Sequence, residues 1–141
     1  MMHVLLDANI PLNVMLDPSK RSMPEPSSAV MNALSKGKFI GYITPTSFSN
    51  MFYALKKERG QAEAVRVAHE VLDIVRITDQ TESFLRNALA GGWSDTEDAD
   101  QYFAAKANHR ITHLCITNGK HYKKATGLKV VDPAHLLALL N

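Results

Sequence analysis

The chain has 141 residues, 45% of them hydrophobic, and a formal net charge of +2. That length suits a single domain spanning residues 1–141, and the composition is that of a globular protein rather than a disordered or fibrous one. No apolar run approaches a membrane span, and "MMHVLLDANI" has neither a charged leader region nor a cleavage site, so a cytoplasmic chain with no membrane segment is expected.

The small positive charge permits a nucleic-acid partner without arguing for one. Cys115 is the lone cysteine and cannot close an internal disulfide; within "HLCIT" it reads as a buried thiol in a reducing compartment.

In chain order, "HVLLDA" (3–8) reads as a buried strand, with Pro11 following as in a helix first turn. A polar loop containing Pro18, Pro24 and Pro26 leads to a helix over about 27–36 that stops at Gly37. "FIGYIT" (39–44) is the next strand. "PTSFSNMFYALKKERG" (45–60) is a helix with Pro45 at its start and Gly60 at its end. In "QAEAVRVAHEVLDI" (61–74), Ala64, Val67, Ala68, Val71 and Leu72 share one face, which predicts an amphipathic helix. "VRIT" (75–78) is a strand, "TESFLRNALAGG" a helix closed by glycines, and residues 95–108 a helix opened by acids. "HLCIT" (113–117) and "KVVD" (129–132) are strands, and "PAHLLALL" closes the chain as a helix. Alternation of this kind predicts an α/β fold, a mostly parallel sheet flanked by helices.

Ligands of open α/β sheets bind beyond the carboxyl ends of the strands. Asp7 ends the first strand and Asn118 follows "HLCIT", so both belong to that edge. The helix start "SDTEDAD" carries Asp95, Glu97, Asp98 and Asp100. On a wheel of about 100° per residue, Asp95 and Asp98 lie about 60° apart on the side of Ala99, Tyr102 and Ala105. Glu97 and Asp100 fall together on the other side, expected to face solvent, where Ser94-x-x-Glu97 fits a capping box. Inward-facing carboxylates are costly unless paired or bound to a cation. With Asp7 they suggest a hard-cation site for Mg²⁺ or Mn²⁺. The plainer reading stays open: Asp95 as an N-cap and Asp98 as a first-turn acid.

Other chemistries fit poorly. "DTEDAD" fails as an EF-hand loop because Ala99, Asp100 and Lys106 occupy the fifth, sixth and twelfth positions. The six histidines lack zinc-ligand spacing, and no phosphate-binding P-loop motif is present.

The segments "HVLLDANIPLNVML", "GYITPTSFSNMFYALKKERG", "SDTEDADQYFAAKA" and "LCITNGKHYKKATGLKVVDPAHLL" resemble, in order, those of a PIN domain. The resemblance covers nearly the whole chain. It implies a Rossmann-like sheet and a Mg²⁺- or Mn²⁺-dependent ribonuclease; many small members are toxins of toxin–antitoxin pairs, of the VapC type. Residue by residue, it places the family's first acid at Asp7 and its third at Asp98, with Asp95 beside it. The second, usually a Glu, is Asn50 here. The fourth reads Asn118, with His121 where many members carry Asp. Asp7, Asp95 and Asp98 are thus the expected metal ligands and catalytic acids.

Asn9, Asn50 and Asn118 are expected to line the substrate site, with Asn9 alternatively a helix N-cap. Ser47 and Ser49 either line it or cap their helix. RNA needs cations around an acidic pocket, and "GKHYKK" offers Lys120, His121, Lys123 and Lys124, with Tyr122 able to stack on a base. The same residues also read as a solvated loop, and Lys56, Lys57 and Arg59 as a solvated helix end. RNA and a cognate antitoxin are the partners the resemblance implies. The apolar helices near 27–36 and 46–55 fit a homodimer face, an antitoxin groove or plain core. The alternatives to a nuclease are a PIN module that binds RNA or protein without cutting, and a metal-dependent phosphatase of another α/β family. "DAN" lacks the D-x-D that such phosphatases often open with.

Overall fold

The apolar run after Met2 forms strand β1 (His3–Leu6) at the centre of a five-stranded, all-parallel sheet ordered β3-β2-β1-β4-β5. The computed structural model describes residues 1–17, 19, 21 and 23–141, with the backbone alone described for His121. The remaining strands are β2 (Ile40–Ile43), β3 (Val75–Ile77), β4 (His113–Cys115) and β5 (Lys129–Val131). Helix α1 (Asn9–Met15) follows β1, and α2 (Pro24–Ser35) precedes β2. Helices α3 (Pro45–Arg59) and α4 (Gln61–Ile74) join β2 to β3. Helices α5 (Glu82–Ala90) and α6 (Thr96–Ala107) join β3 to β4, and α7 (Pro133–Leu140) closes the chain. Among the described residues, no helix is long and apolar enough to cross a membrane.

The expected elements are present, with shifted ends. Helix α2 begins at Pro24 rather than near residue 27. Pro24 and Pro26 lie in its first turn, where the missing N–H would have had no helical partner. Pro18, in the expected loop, lies outside the described residues. Beyond β4 the chain makes a short 3-10 turn (Gly119–Tyr122) that the loop-like "NGKHY" does not announce.

Successive strand residues face opposite layers. Val4 and Leu6 of β1, Ile43 of β2, Cys115 of β4 and Val131 of β5 join a core with Ile10, Val30, Leu34, Met51, Leu55, Val71 and Leu136. Leu5, Tyr42, Leu114 and Ile116 join the opposite core with Ala105, Ile111 and Tyr122. Both faces of β1 are therefore sealed, as parallel sheets require. At Gly41 of β2, an added Cβ would meet Leu34 Cδ1 at 2.7 Å, so glycine lets α2 approach the sheet closely.

From β1 the chain steps outward through β2 and β3, then returns to the other flank of β1 to lay down β4 and β5. The connections reverse at the β1–β4 boundary, which opens a crevice at the carboxyl edge.

Candidate active site

Asp7 emerges from β1 into that crevice. Its N–H donates to Cys115 O at 3.0 Å, which pins it to β4. Its Oδ1 accepts from Asn9 N at 2.7 Å and its Oδ2 from Gln101 Nε2 at 3.3 Å. The start of α6 arrives opposite. Asp95 is its N-cap, with Oδ1 accepting from Glu97 N at 2.9 Å and Asp98 N at 3.0 Å. Such a cap contributes about 1 kcal/mol and leaves the carboxylate further acceptor capacity. The helix is therefore capped by Asp95, not by a box on Ser94.

A cavity of about 540 Å³ lies between these elements. Asp7, Asp95 and Asp98 line it together with Asn9, Asn50 and Asn118. Ser47, Glu97, Gln101 and Tyr122 complete much of its polar wall. The expected acids and amides thus share one cavity, although they come from β1, α1, α3, α6 and the segment after β4.

Asp7 and Asp98 are linked through neutral donors. Gln101 Nε2 also reaches Tyr122 Oη at 3.3 Å, and that hydroxyl donates to Asp98 Oδ1 at 3.1 Å. Burial, followed by the charges of Asp98 and Asp7, pushes the Tyr122 phenol far above its ordinary value, so it remains a proton donor. This corrects its expected role. Tyr122 is buried and packs edge-on against Trp93, and offers no face for a base to stack on.

Of the second acid pair, expected to face solvent, Glu97 is exposed as expected and Asp100 is not. Glu97 lines the cavity and accepts from Asn50 Nδ2. Desolvation raises its pKa; the Asn50 bond opposes this, and the charges of Asp95, Asp7 and Asp98 add to it. Asp100 is buried, not solvated, and accepts from Gln80 Nε2, which also bonds Thr46 Oγ1 at 2.7 Å. Burial raises the pKa of Asp100 against the opposing effect of that bond. Helix α6 is covered on both sides, with Ala99, Asp100, Gln101, Tyr102, Ala104 and Ala105 all buried. A wheel with one wet face does not describe it.

The remaining candidates divide. Asn9 is the first residue of α1, not its cap, and its Oδ1 accepts from Arg21 Nη2 at 2.8 Å. Arg21 is anchored by Asn13, whose Oδ1 accepts from its Nε at 2.9 Å. Asn118 precedes the 3-10 turn at the cavity wall. The side chain of His121 lies outside the described residues. Lys120 and Lys123 are exposed and do not line the cavity. Lys124 donates to Gly91 O at 3.1 Å and Gly92 O at 2.7 Å, fastening the end of α5. Ser47 lines the cavity, whereas Ser49 is exposed away from it; Thr44, whose side chain accepts from Ser47 N, caps α3.

Gln101, Glu97 and Arg21 were not expected at the site. Gln101 stands three residues after Asp98, on the same helix face, so its place was readable in the spacing. Arg21 comes from a segment with no periodicity to read.

The oxygen donors lining the cavity are carboxylates and amides, with hydroxyls from Ser47, Thr117 and Tyr122, which suits a hard cation. Among the described residues, no three His, Cys, Asp or Glu side chains are grouped closely enough to grip an ion together. The fit is to a cation held by one or two carboxylates that keeps several of its waters, a habit of Mg²⁺. Ser47 and Gln101 line the cavity, while their Oγ and Oε1 atoms are buried beneath its surface without a partner among the described residues.

The PIN domain family model matches residues 3–116, and the chain belongs to this family. Solved structures share the fold at low identity. VapBC2 from Rickettsia felis, bound to a DNA fragment from its promoter, matches with TM-score 0.67 and 17% identity, over 93% of this chain and 98% of that one. VapC20 of Mycobacterium tuberculosis, a toxin that cleaves the sarcin–ricin loop, matches with TM-score 0.65 and 14% identity, over 89% and 98%. VapBC-1 from nontypeable Haemophilus influenzae matches with TM-score 0.68 and 14% identity, over 94% and 99%. No curated protein matches the sequence.

Proposed function

We propose that the chain is a divalent-metal-dependent endoribonuclease and the toxin of a toxin–antitoxin pair, acting in the cytoplasm as one PIN unit over residues 1–141. The observation that carries the reading is the sharing of one cavity by Asp7, Asp95 and Asp98 at the reversal point of a parallel sheet. Membership of the PIN family supports hydrolysis of a phosphodiester. The VapBC neighbours support an antitoxin partner.

In this reading Asp7 and Asp98, with Asp95 beside them, hold Mg²⁺ or Mn²⁺ directly or through its waters. When bound, such an ion supplies positive charge to the attacked phosphate and activates water as the nucleophile. Gln101 and Tyr122 keep the two carboxylates at a fixed separation. Asn9, Asn50 and Asn118 offer amide groups to phosphate or ribose oxygens. Lys120, His121 and Lys123 draw the RNA backbone toward an otherwise repulsive pocket; Lys124 contributes charge while fastening α5. Phe48, Phe52, Val65, Ala68 and Leu72 form an apolar groove between α3 and α4, a surface suited to an antitoxin helix or a second copy of the chain.

The test is a fluorescent RNA library incubated with Mn²⁺, Mg²⁺ or EDTA. Cleavage with either metal is expected, with none in EDTA and none from Asp7→Asn, which still binds RNA. Cleavage that persists in EDTA or in Asp7→Asn overturns the mechanism. Asn50, an amide where the family usually has an acid, favours one other reading: RNA bound by the wild type but never cut would assign the chain as a binding module.

A further inference from the structure

Helix α1 sends Ile10 and Leu12 into the core, yet it carries asparagines at positions 9 and 13, one turn apart on one face. Asn13 is only 2% exposed, and its Nδ2 donates to Oγ of the buried Ser27 of α2 at 3.0 Å. A buried amide is costly unless both its ends are bonded. Here the oxygen is satisfied by Arg21, whose Nε donates to it at 2.9 Å. Arg21 Nη2 donates to Asn9 Oδ1 at 2.8 Å. The guanidinium is thus held at two points by a single helix face, and α2 locks one of those points from behind.

We infer that Arg21 and Asn9 together clamp a backbone phosphate of the RNA, next to the phosphate attacked beside Asp7. The partners of Arg21 are neutral amides, and the ion pairs among the described residues lie elsewhere, between Arg66 and Glu63 or Glu70 and between Arg86 and Glu82. Its charge is therefore oriented without being cancelled. A guanidinium only donates, so Asn9 turns its oxygen toward Arg21. That leaves Asn9 Nδ2, which has no partner among the described residues, as a second donor. Asn9 is exposed and lines the cavity, and its N–H donates to Asp7 Oδ1 at 2.7 Å. Arg21 stands half-buried just outside the lining, one hydrogen bond from it.

The planar fork of arginine matches phosphate oxygens, and a fixed cation beside an acidic cavity offsets the repulsion that a phosphodiester meets there. The lysines after β4 are placed differently. Lys120 and Lys123 are exposed away from the lining, and Lys124 is spent on the carbonyls of Gly91 and Gly92. An arginine that only fastened α1 to the chain after it would leave RNA binding unchanged.

This inference rests on RNA being the substrate, and binding measured without metal separates it from cleavage. The full chain is titrated into a fluorescent single-stranded RNA in EDTA at several salt concentrations. Arg21→Gln is expected to weaken binding about tenfold at low salt. It should also flatten the dependence of log affinity on log salt by about one unit, as loss of one phosphate contact does. Arg21→Lys keeps the charge and should keep the slope, with only part of the affinity regained because lysine lacks the fork. Lys36→Gln, exposed just beyond α2, removes the same net charge and should leave the slope as it is. A lower melting temperature in Arg21→Gln with an unchanged slope would mean a structural role alone, and overturns the inference. Equal flattening in Lys36→Gln overturns it too, since the effect would then be one of net charge. If Arg21→Gln moves the slope as expected while the wild type cuts no RNA with Mn²⁺, the clamp stands and the nuclease reading falls. If the wild type binds no RNA, both fall together.

Discussion

Asp98 and Asp100 sit two residues apart on one helix and have opposite surroundings. Asp98 lies half-buried at the cavity, beside three further carboxylates and a tyrosine hydroxyl. Asp100 is buried behind it among Thr46 and Gln80, and its Oδ1 has no partner among the described residues. One acid belongs to the carboxylate cluster at the cavity; the other fastens the helix that carries the cluster. The contrast shows that charge density along a sequence does not identify a site. What separates the two is which neighbouring elements close over each position.

The largest effect should come from the cluster. Asp98→Asn or Asp7→Asn is expected to lower kcat for RNA cleavage on the order of 100-fold or more, since each removes a carboxylate on which the proposed ion depends. Because each change also relieves repulsion, the metal-free melting temperature should rise and the stabilisation by Mn²⁺ should vanish. Equal melting shifts with Mn²⁺ in wild type and Asp98→Asn would remove the distinction between the two acids.

Gln101→Leu cuts the link between Asp7 and the Tyr122–Asp98 pair without removing a charge. Mn²⁺ affinity should fall about tenfold, the magnitude typical of groups that orient ligands. If affinity is unchanged while stability falls, Gln101 serves the fold alone.

Asp100→Asn tests the buried acid. Its folded pKa is raised above the ordinary 3.8, so the folded protein takes up this proton before the unfolded chain does. The charged form therefore costs stability as pH rises through the folded pKa, and nothing is lost below 3.8. The asparagine variant should melt a few degrees above wild type at neutral pH, with the advantage shrinking toward acid. A constant difference across pH would show that Asp100 is not strained by burial. Glu97 is raised in the same direction, so both proteins in this comparison carry that background equally.

The smallest effects concern the lysines. Lys120→Ala and Lys123→Ala should each flatten the salt dependence of RNA binding by about one unit of slope. Lys124→Ala should instead cost about 0.5–1 kcal/mol of stability through the lost bonds to Gly91 and Gly92. Chemical denaturation alongside filter binding distinguishes these outcomes.

The elements were legible because a parallel sheet writes itself as short apolar runs between helical repeats. Pro45 and Gly60 mark the ends of α3 as they should, and β1 differs from its expected span only where Asp7 and Ala8 turn into α1. The site was legible in Asp7, Asp95 and Asp98, because acids at a strand end and a helix start meet at one sheet edge. Asp100 was misplaced because the wheel assumed a single buried face, whereas α5 packs on one side of α6 and Ala105 joins the sheet core on another. Glu97 is exposed as the wheel had it, and its place beside Asn50 was not readable there. Tyr122 read as an exposed stacking ring because its loop looked polar; the 3-10 turn and Trp93 carry it inward. Arg21 reaches Asn9 from a segment whose sequence carries no helical or strand period.

The central claim is that these carboxylates form a cation site. It is tested most directly by anomalous diffraction from a crystal of the full chain soaked in Mn²⁺. The account predicts one anomalous peak in the cavity, about 2.0–2.2 Å from an oxygen of Asp7 or Asp98 or one water away from them. A peak elsewhere on the protein, or an occupied cavity with Asp7 and Asp98 both out of reach of the ion and its waters, would contradict it.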